Sequence, residues 1–134
     1  LYRSVDRTDL AFAMVPTNPL NDGHILVLPR RHVVRLDELT QYESMELNGL
    51  LYNMQQKLYK LFPDTPPIFA MQTGEHSTQE HIHYQMFPSS FNIRELYGAA
   101  HMRGPNAPEI PKNITHPDYD ESIIERIARK LRGV

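Results

Sequence analysis

Two histidines and a glutamine occupy every second position of His81-Ile82-His83-Tyr84-Gln85-Met86-Phe87, with apolar or aromatic residues between them. Successive side chains of a β-strand point to opposite faces. The segment therefore reads as a strand carrying His81, His83 and Gln85 on one face and Ile82, Tyr84 and Met86 on the other. Two imidazoles and an amide on one face can bind an anion, attack phosphorus or ligate a metal. In an attack on phosphorus, the free nitrogen of a neutral imidazole forms a phosphoramidate, provided that the other ring nitrogen donates to an acceptor that fixes the tautomer. His83, central in the triplet, is the expected nucleophile. His81 and Gln85 would flank the phosphate and donate to the oxygens on which charge accumulates. Gln85 acts only as a neutral amide and has no proton to give as a general acid near pH 7. A phosphate or pyrophosphate leaving group, whose basicity is low, suits such a site better than an alkoxide or an amine.

Three further polar residues fall at strand ends or in the loop before the triplet. His24 follows Gly23 at the head of an apolar strand, Gln72 closes another, and Thr78 lies three residues before His81. In an antiparallel sheet such positions converge on one pocket mouth, where amide and hydroxyl groups orient phosphate oxygens or a ribose. A metal site built from the two histidines with Gln72, Glu75 or Glu80 is the competing chemistry. It lacks a third histidine or carboxylate at matching spacing, and glutamine is a poor ligand. His32, His101 and His116 read as solvated loop residues, His76 sits undecided beside the triplet, and Arg30 and Arg31 read as ordinary surface charge.

The elements that must position these groups are legible from periodicity. Leu10–Val15 and Ile25–Leu28 are apolar runs separated by Pro16, Pro19, Asn21, Asp22 and Gly23, which predicts two antiparallel strands. Thr40-Gln41-Tyr42-Glu43 has the spacing of a capping box. Leu47, Leu50, Leu51, Met54, Leu58 and Leu61 then form a helical stripe that ends before Pro63. Ile68–Gln72 resumes a strand and is expected to pair with the histidine strand as a hairpin whose loop lies beside the site. Pro88 to Pro117 reads as mainly loop, with a helical turn near Ile93 to Tyr97. Asp120 to Arg132 carries Ile123, Ile124, Ile127 and Leu131 on one stripe, acids first and Arg129, Lys130 and Arg132 last, the marks of a terminal helix whose basic end offsets its dipole.

In order and spacing, Phe12-Ala13-Met14-Val15, Pro19, Gly23 through Pro29, Arg31-His32-Val33 and Leu36 through Leu39, followed by Met71-Gln72, Gly74, Thr78 and the triplet, resemble the histidine triad (HIT) family of nucleotidyl hydrolases and transferases. The resemblance runs from about Leu10 to Phe87 and is strongest to the fragile histidine triad branch, the dinucleoside polyphosphate hydrolases. It implies an α+β, HIT-like fold over residues 1–134, an antiparallel sheet of about five strands with one long helix and a C-terminal helix, and a homodimer. It implies a hydrolase of dinucleoside polyphosphates or related nucleotides, with His83 becoming nucleotidylated and His81 supporting it. Gln72 and Thr78 would lie near the bridging and α-phosphates, His24 in the pocket, and Leu26 and Leu28 along the base. No cofactor is required for the chemistry at His83, and a divalent cation is expected only as company for the substrate's phosphates. Two positions depart from the pattern. Gln85 stands where the hydrolases carry a third histidine, as in the galactose-1-phosphate uridylyltransferase and dinucleoside tetraphosphate phosphorylase branches. The alternative is therefore a nucleotidyltransferase or phosphorylase using phosphate as acceptor, or a catalytically weak nucleotide-binding protein. Pro16 stands where the family presents a ribose-binding Asn or Asp, and Asn18 is the nearby substitute.

Composition bounds the rest. The chain has 134 residues, a net charge of −2 and no cysteine. A single domain is expected. The charge gives no basic footprint for nucleic acid, and any phosphate must be held locally. Absence of cysteine excludes disulfides and thiolate metal sites and fits a cytoplasmic or nuclear setting. No apolar run reaches bilayer length, so no membrane partner is expected. The first residue is Leu1 rather than Met, which is compatible with a removed leader or a trimmed terminus.

Overall fold

In the computed structural model, which describes residues 2–74, 80–90 and 120–134, the apolar runs pair into one antiparallel sheet. Its strands are β1 (Ser4–Arg7), β2 (Ala11–Met14), β3 (Ile25–Pro29), β4 (Pro67–Gln72) and β5 (His83–Pro88), in the order β1-β2-β3-β5-β4. β5 lies between β3 and β4, so the histidine strand is internal to the sheet and fixed by hydrogen bonds on both sides. Helix α1 (Gln41–Leu61) follows a short 3-10 turn at Leu36–Glu38, and helix α2 (Glu121–Arg132) closes the described chain. No helix among the described residues is long and apolar enough to cross a membrane.

Register sorts the side chains into two faces. Directly opposed residues of an antiparallel pair share a face. Gln72 stands opposite His83, Ala70 opposite Gln85, Leu26 opposite Gln85, Met14 opposite Leu26 and Phe12 opposite Leu28. These rows form one face of the sheet. The other face carries Val5, Ala11, Ala13, Ile25, Val27 and Met86. It is buried under Leu47, Leu50, Leu51, Met54 and Leu58 of α1 and Ile124, Ala128 and Leu131 of α2. All the described helical packing therefore falls on one side, and the polar positions of β5 and β4 are left facing the opposite side.

The capping box forms as predicted. Glu43 N–H donates to Thr40 Oγ1 at 3.1 Å, and Thr40 N–H donates to Glu43 Oε1 at 2.9 Å. Arg31 is not ordinary surface charge. Its guanidinium donates to both Glu43 carboxylate oxygens, at 2.8 and 3.1 Å, and to the Glu38 carbonyl, tying the exit of β3 to the start of α1. The spacing to Glu43 gives no hint of this, because the two residues meet only once the 3-10 turn folds back. At the other end of α1, Lys57 reaches the carbonyls of Leu131 and Arg132, placing a cation at the negative end of α2.

Two elements depart from expectation. β1 carries one buried apolar residue, Val5, among charged neighbours, too weak a pattern to read as a strand. It is held by pairing with β2, by Val15 N–H donating to Arg3 O at 2.9 Å, and by the Arg132 guanidinium on the Ser4 carbonyl. β5 begins at His83 rather than His81, because β4 ends at Gln72, the partner of His83. Upstream, Ile82 N–H instead donates to Val33 O at 2.7 Å. The expected helical turn near Ile93 to Tyr97, and all but the first residues of the expected 88–117 loop, lie outside the described residues.

The Arg31 guanidinium, helped by the Thr40 N–H, holds the buried Glu43 carboxyl down to about 2 from its ordinary 4.5. A depressed carboxylate stabilises the fold fully above its unfolded value, and that stabilisation is lost as the pH falls through 4.5 toward 2. Urea unfolding of Glu43→Gln is expected to show a deficit at pH 7 that narrows across this window. A deficit that does not change with pH would contradict the pairing. Thr40→Ala is expected to cost about 1 kcal/mol.

Candidate active site

The face of the sheet opposite α1 holds a cavity of about 480 Å³. β5 contributes His83 and Gln85, β4 contributes Gln72, and β3 contributes Leu26 and Leu28, with His24 just ahead of it. The segment after β2 adds Pro16, Thr17 and Asn18, and His81 completes one wall. Every described residue expected at the site is among these, and Thr78 lies outside the described residues. Arg3 and Met14 also line the cavity and were not expected. Met14 was detectable, since it alternates with the buried Ala13 in β2. Arg3 had no signal, because β1 itself had none.

Two glycines make the geometry possible. A Cβ on Gly23 would stand 2.5 Å from Pro88 Cδ and 2.9 Å from the Phe62 ring, so only glycine lets the turn before His24 lie against the end of β5. A Cβ on Gly74 would stand 2.9 Å from the His81 backbone nitrogen and 3.0 Å from the Glu80 carbonyl carbon. That close approach packs the end of β4 onto the peptide that enters His81.

His83 is buried, 7% exposed, and its ring is set by the chain just ahead of it. Nδ1–H donates to the His81 carbonyl at 2.8 Å. The side chain thus takes the acceptor that a longer strand would have used in its ladder, and Nε2 is directed away from it. Gln72 Oε1 lies 2.6 Å from Nε2. An amide oxygen can only accept, so for the Nε2 lone pair to be presented to the cavity the Gln72 amide must turn or withdraw.

His81 lies outside the strand yet lines the same cavity. Burial, and then the His32 and His83 rings, push its imidazole below the ordinary value. Its Nε2 is buried with no hydrogen-bond partner among the described residues. His32, read from sequence as a solvated loop residue, is exposed but stacks at a tilt against His81, ring centroids 5.1 Å apart, because the chain leaving β3 folds over the entry to β5. His24 is 3% exposed and fully engaged by protein groups. Leu20 N–H donates to its Nδ1 at 2.9 Å, its Nε2 lies 2.9 Å from Gln85 Oε1, and the Phe87 ring meets it edge to face. Burial pushes its ring from 6.5 down to about 4, so it is neutral at physiological pH.

A five-stranded antiparallel sheet thus carries His83 and Gln85, with His81 beside them, at the wall of one cavity. The sequence matches the HIT domain over residues 3–90, and the chain belongs to that family. Similar proteins include the asymmetrical bis(5′-nucleosyl)-tetraphosphatase of Schizosaccharomyces pombe, 34% identical over 84 residues, covering 61% of this chain and 46% of that protein. The bis(5′-adenosyl)-triphosphatase of Dictyostelium discoideum is 34% identical over 83 residues, covering 60% of this chain and 56% of that one. An AP-4-A phosphorylase of Mycobacterium tuberculosis is 30% identical over 91 residues, covering 63% and 45%. The chain thus spans about half the length of these relatives. The nitrilase and fragile histidine triad fusion protein of Caenorhabditis elegans superposes over 98% of this chain and 27% of its own, with a TM-score of 0.70 at 25% identity.

Gly74→Ala should displace the His81 peptide and with it the carbonyl that holds the His83 ring. The nitrogen-15 NMR signal of the His83 Nδ1–H is expected to shift or vanish with the far-ultraviolet circular dichroism retained. An unchanged signal would show that this contact does not set the ring.

Proposed function

We propose that the protein hydrolyses dinucleoside polyphosphates or related nucleotides through a nucleotidyl intermediate on His83. The observation that carries this reading is the direction of His83 Nε2, turned into the cavity by the Nδ1–H bond to the His81 carbonyl. The two relatives at 34% identity are named for hydrolysis of such substrates, which supports the same reading. Leu26, Leu28 and Met14 form the apolar wall suited to a purine base, and Thr17 and Asn18 the polar mouth suited to a ribose.

The lone pair on Nε2 attacks the α-phosphorus, a P–N bond forms, and the bridging P–O bond breaks with its electron pair going to the departing phosphate chain. Gln85 and His81 face the non-bridging oxygens as charge gathers there. Water then attacks phosphorus and gives up one proton to solvent, the P–N bond breaks with its electron pair returning to Nε2, and the nucleoside monophosphate leaves. The step needs no resident metal, and a divalent cation enters only as a companion of the substrate's phosphates.

The active unit is a homodimer in this reading. β4 is an edge strand, and Phe69 and Met71, on its helix-side face, are 40% and 46% exposed beside Tyr52 of α1. Together with Asn48, Leu51, Gln55 and Tyr84 they line a groove of about 410 Å³ that has no charged residue. A second copy can add its own β4 there without like-charge repulsion. Light scattering on Tyr52→Glu with Met71→Glu is expected to give a monomer where the unsubstituted protein gives a dimer. A monomer from both would refute the assembly.

Incubation with diadenosine triphosphate or tetraphosphate, followed by denaturing mass spectrometry, is expected to show a nucleotide adduct that is absent from His83→Ala. Turnover should persist in the presence of EDTA and without inorganic phosphate. Binding without adduct would identify a nucleotide-binding protein instead, and turnover that requires phosphate would identify a phosphorylase.

A further inference from the structure

We propose that His24 is a positioning residue that acts through Gln85: it locks the Gln85 amide with its oxygen inward, so that both amide N–H donors face the phosphate. The inference rests on the reading of the cavity as a phosphate-transfer site. It assigns to His24 a task other than touching substrate.

Proton placement decides the orientation of the amide. Leu20 N–H is a donor and nothing else, so the His24 nitrogen that meets it, Nδ1 at 2.9 Å, must carry the lone pair. In a neutral ring the single proton then lies on Nε2. That nitrogen meets the Gln85 side chain at 2.9 Å, and an N–H donor requires the amide oxygen there. One backbone N–H of the turn before β3 therefore fixes, through an imidazole, which end of an amide on β5 enters the cavity. The alternative orientation sets an N–H against an N–H beside His24 and turns the carbonyl oxygen toward the anionic phosphate. It loses two favourable contacts and gains two repulsive ones.

The device is insulated from solvent and pH. His24 is buried, with the Phe87 ring across it at 5.6 Å, and Gly23 and Pro88 close the turn over it. Gln85 does not titrate, and the titratable group facing the ring is His83, which disfavours any further positive charge. A glutamine at this position can thus offer two donors at any pH at which the protein works, without ever supplying a proton.

Four proteins test this with diadenosine triphosphate as substrate: the unsubstituted chain, His24→Leu, Gln85→Met and the double variant. His24→Leu is expected to lower kcat roughly 10²-fold with KM little changed, because the donor set is presented to charge that develops in the transition state. The double variant should be no slower than Gln85→Met alone, since with no amide to orient His24 has no task. Losses that add in the double variant, or a His24→Leu effect confined to KM, would overturn the proposal. His24→Gln keeps a donor toward Gln85 and is expected to retain kcat within roughly tenfold; equal loss in Gln and Leu variants would overturn it.

Nitrogen-15 NMR gives an arm independent of turnover and of how the variants fold. In the unsubstituted protein the His24 proton should lie on Nε2, and the Gln85 side-chain NH2 resonances should shift on titration with AMP. A proton on Nδ1, or Gln85 resonances indifferent to AMP, would overturn the proposal even if hydrolysis is confirmed. If hydrolysis fails while the tautomer and the AMP response hold, the catalytic reading falls and the positioning role stands.

Discussion

The bond from His83 Nδ1–H to the carbonyl of His81 is the contact from which the site is built. A surface imidazole rotates freely and offers either nitrogen. Here a residue two positions upstream takes one nitrogen, and the other is left facing a cavity. For this to happen the chain must leave the ladder before His83, or the His81 carbonyl would be spent on a neighbouring strand. The early end of β4 at Gln72, the Ile82 N–H on Val33 and the absence of a side chain at Gly74 all secure that exit.

The sheet does two jobs on its two faces. α1 and α2 bury one face in an apolar core, which fixes the twist and register of β3 and β5. That rigidity is passed to the other face, where the residues opposite one another in register are Gln72 with His83 and Leu26 with Gln85. Side chains on interior strands are held more closely than those on loops, so the spacing between His83, Gln85 and Gln72 is a property of the ladder. The Arg31–Glu43 pair joins this ladder to the helix by fixing the exit of β3 to the first turn of α1.

Much of this was legible in the sequence because the signals are local. The alternation of His83, Gln85 and Phe87 against Tyr84 and Met86 gave the faces of β5, and Thr40 with Glu43 marked the start of α1 to the residue. What escaped was set by tertiary contact. β1 has one apolar residue and exists because β2 has an open edge. Arg31 finds Glu43, and His32 finds His81, only after the chain following β3 turns back over the sheet. The engagement of both His24 nitrogens depends on a backbone N–H four residues away and an amide on another strand. The placement of His81 outside the strand could not be read from spacing, because alternation continues smoothly through it.

The claim most open to direct test is that the lone pair on Nε2 of His83, and no other atom, takes the phosphorus. Phosphorus-31 NMR of the quenched intermediate, with tandem mass spectrometry of the labelled peptide, distinguishes the two ring positions. A phosphoramidate on Nε2 of His83 is the expected species. Phosphorus on Nδ1, on another residue, or never bound to the protein during turnover would contradict the account.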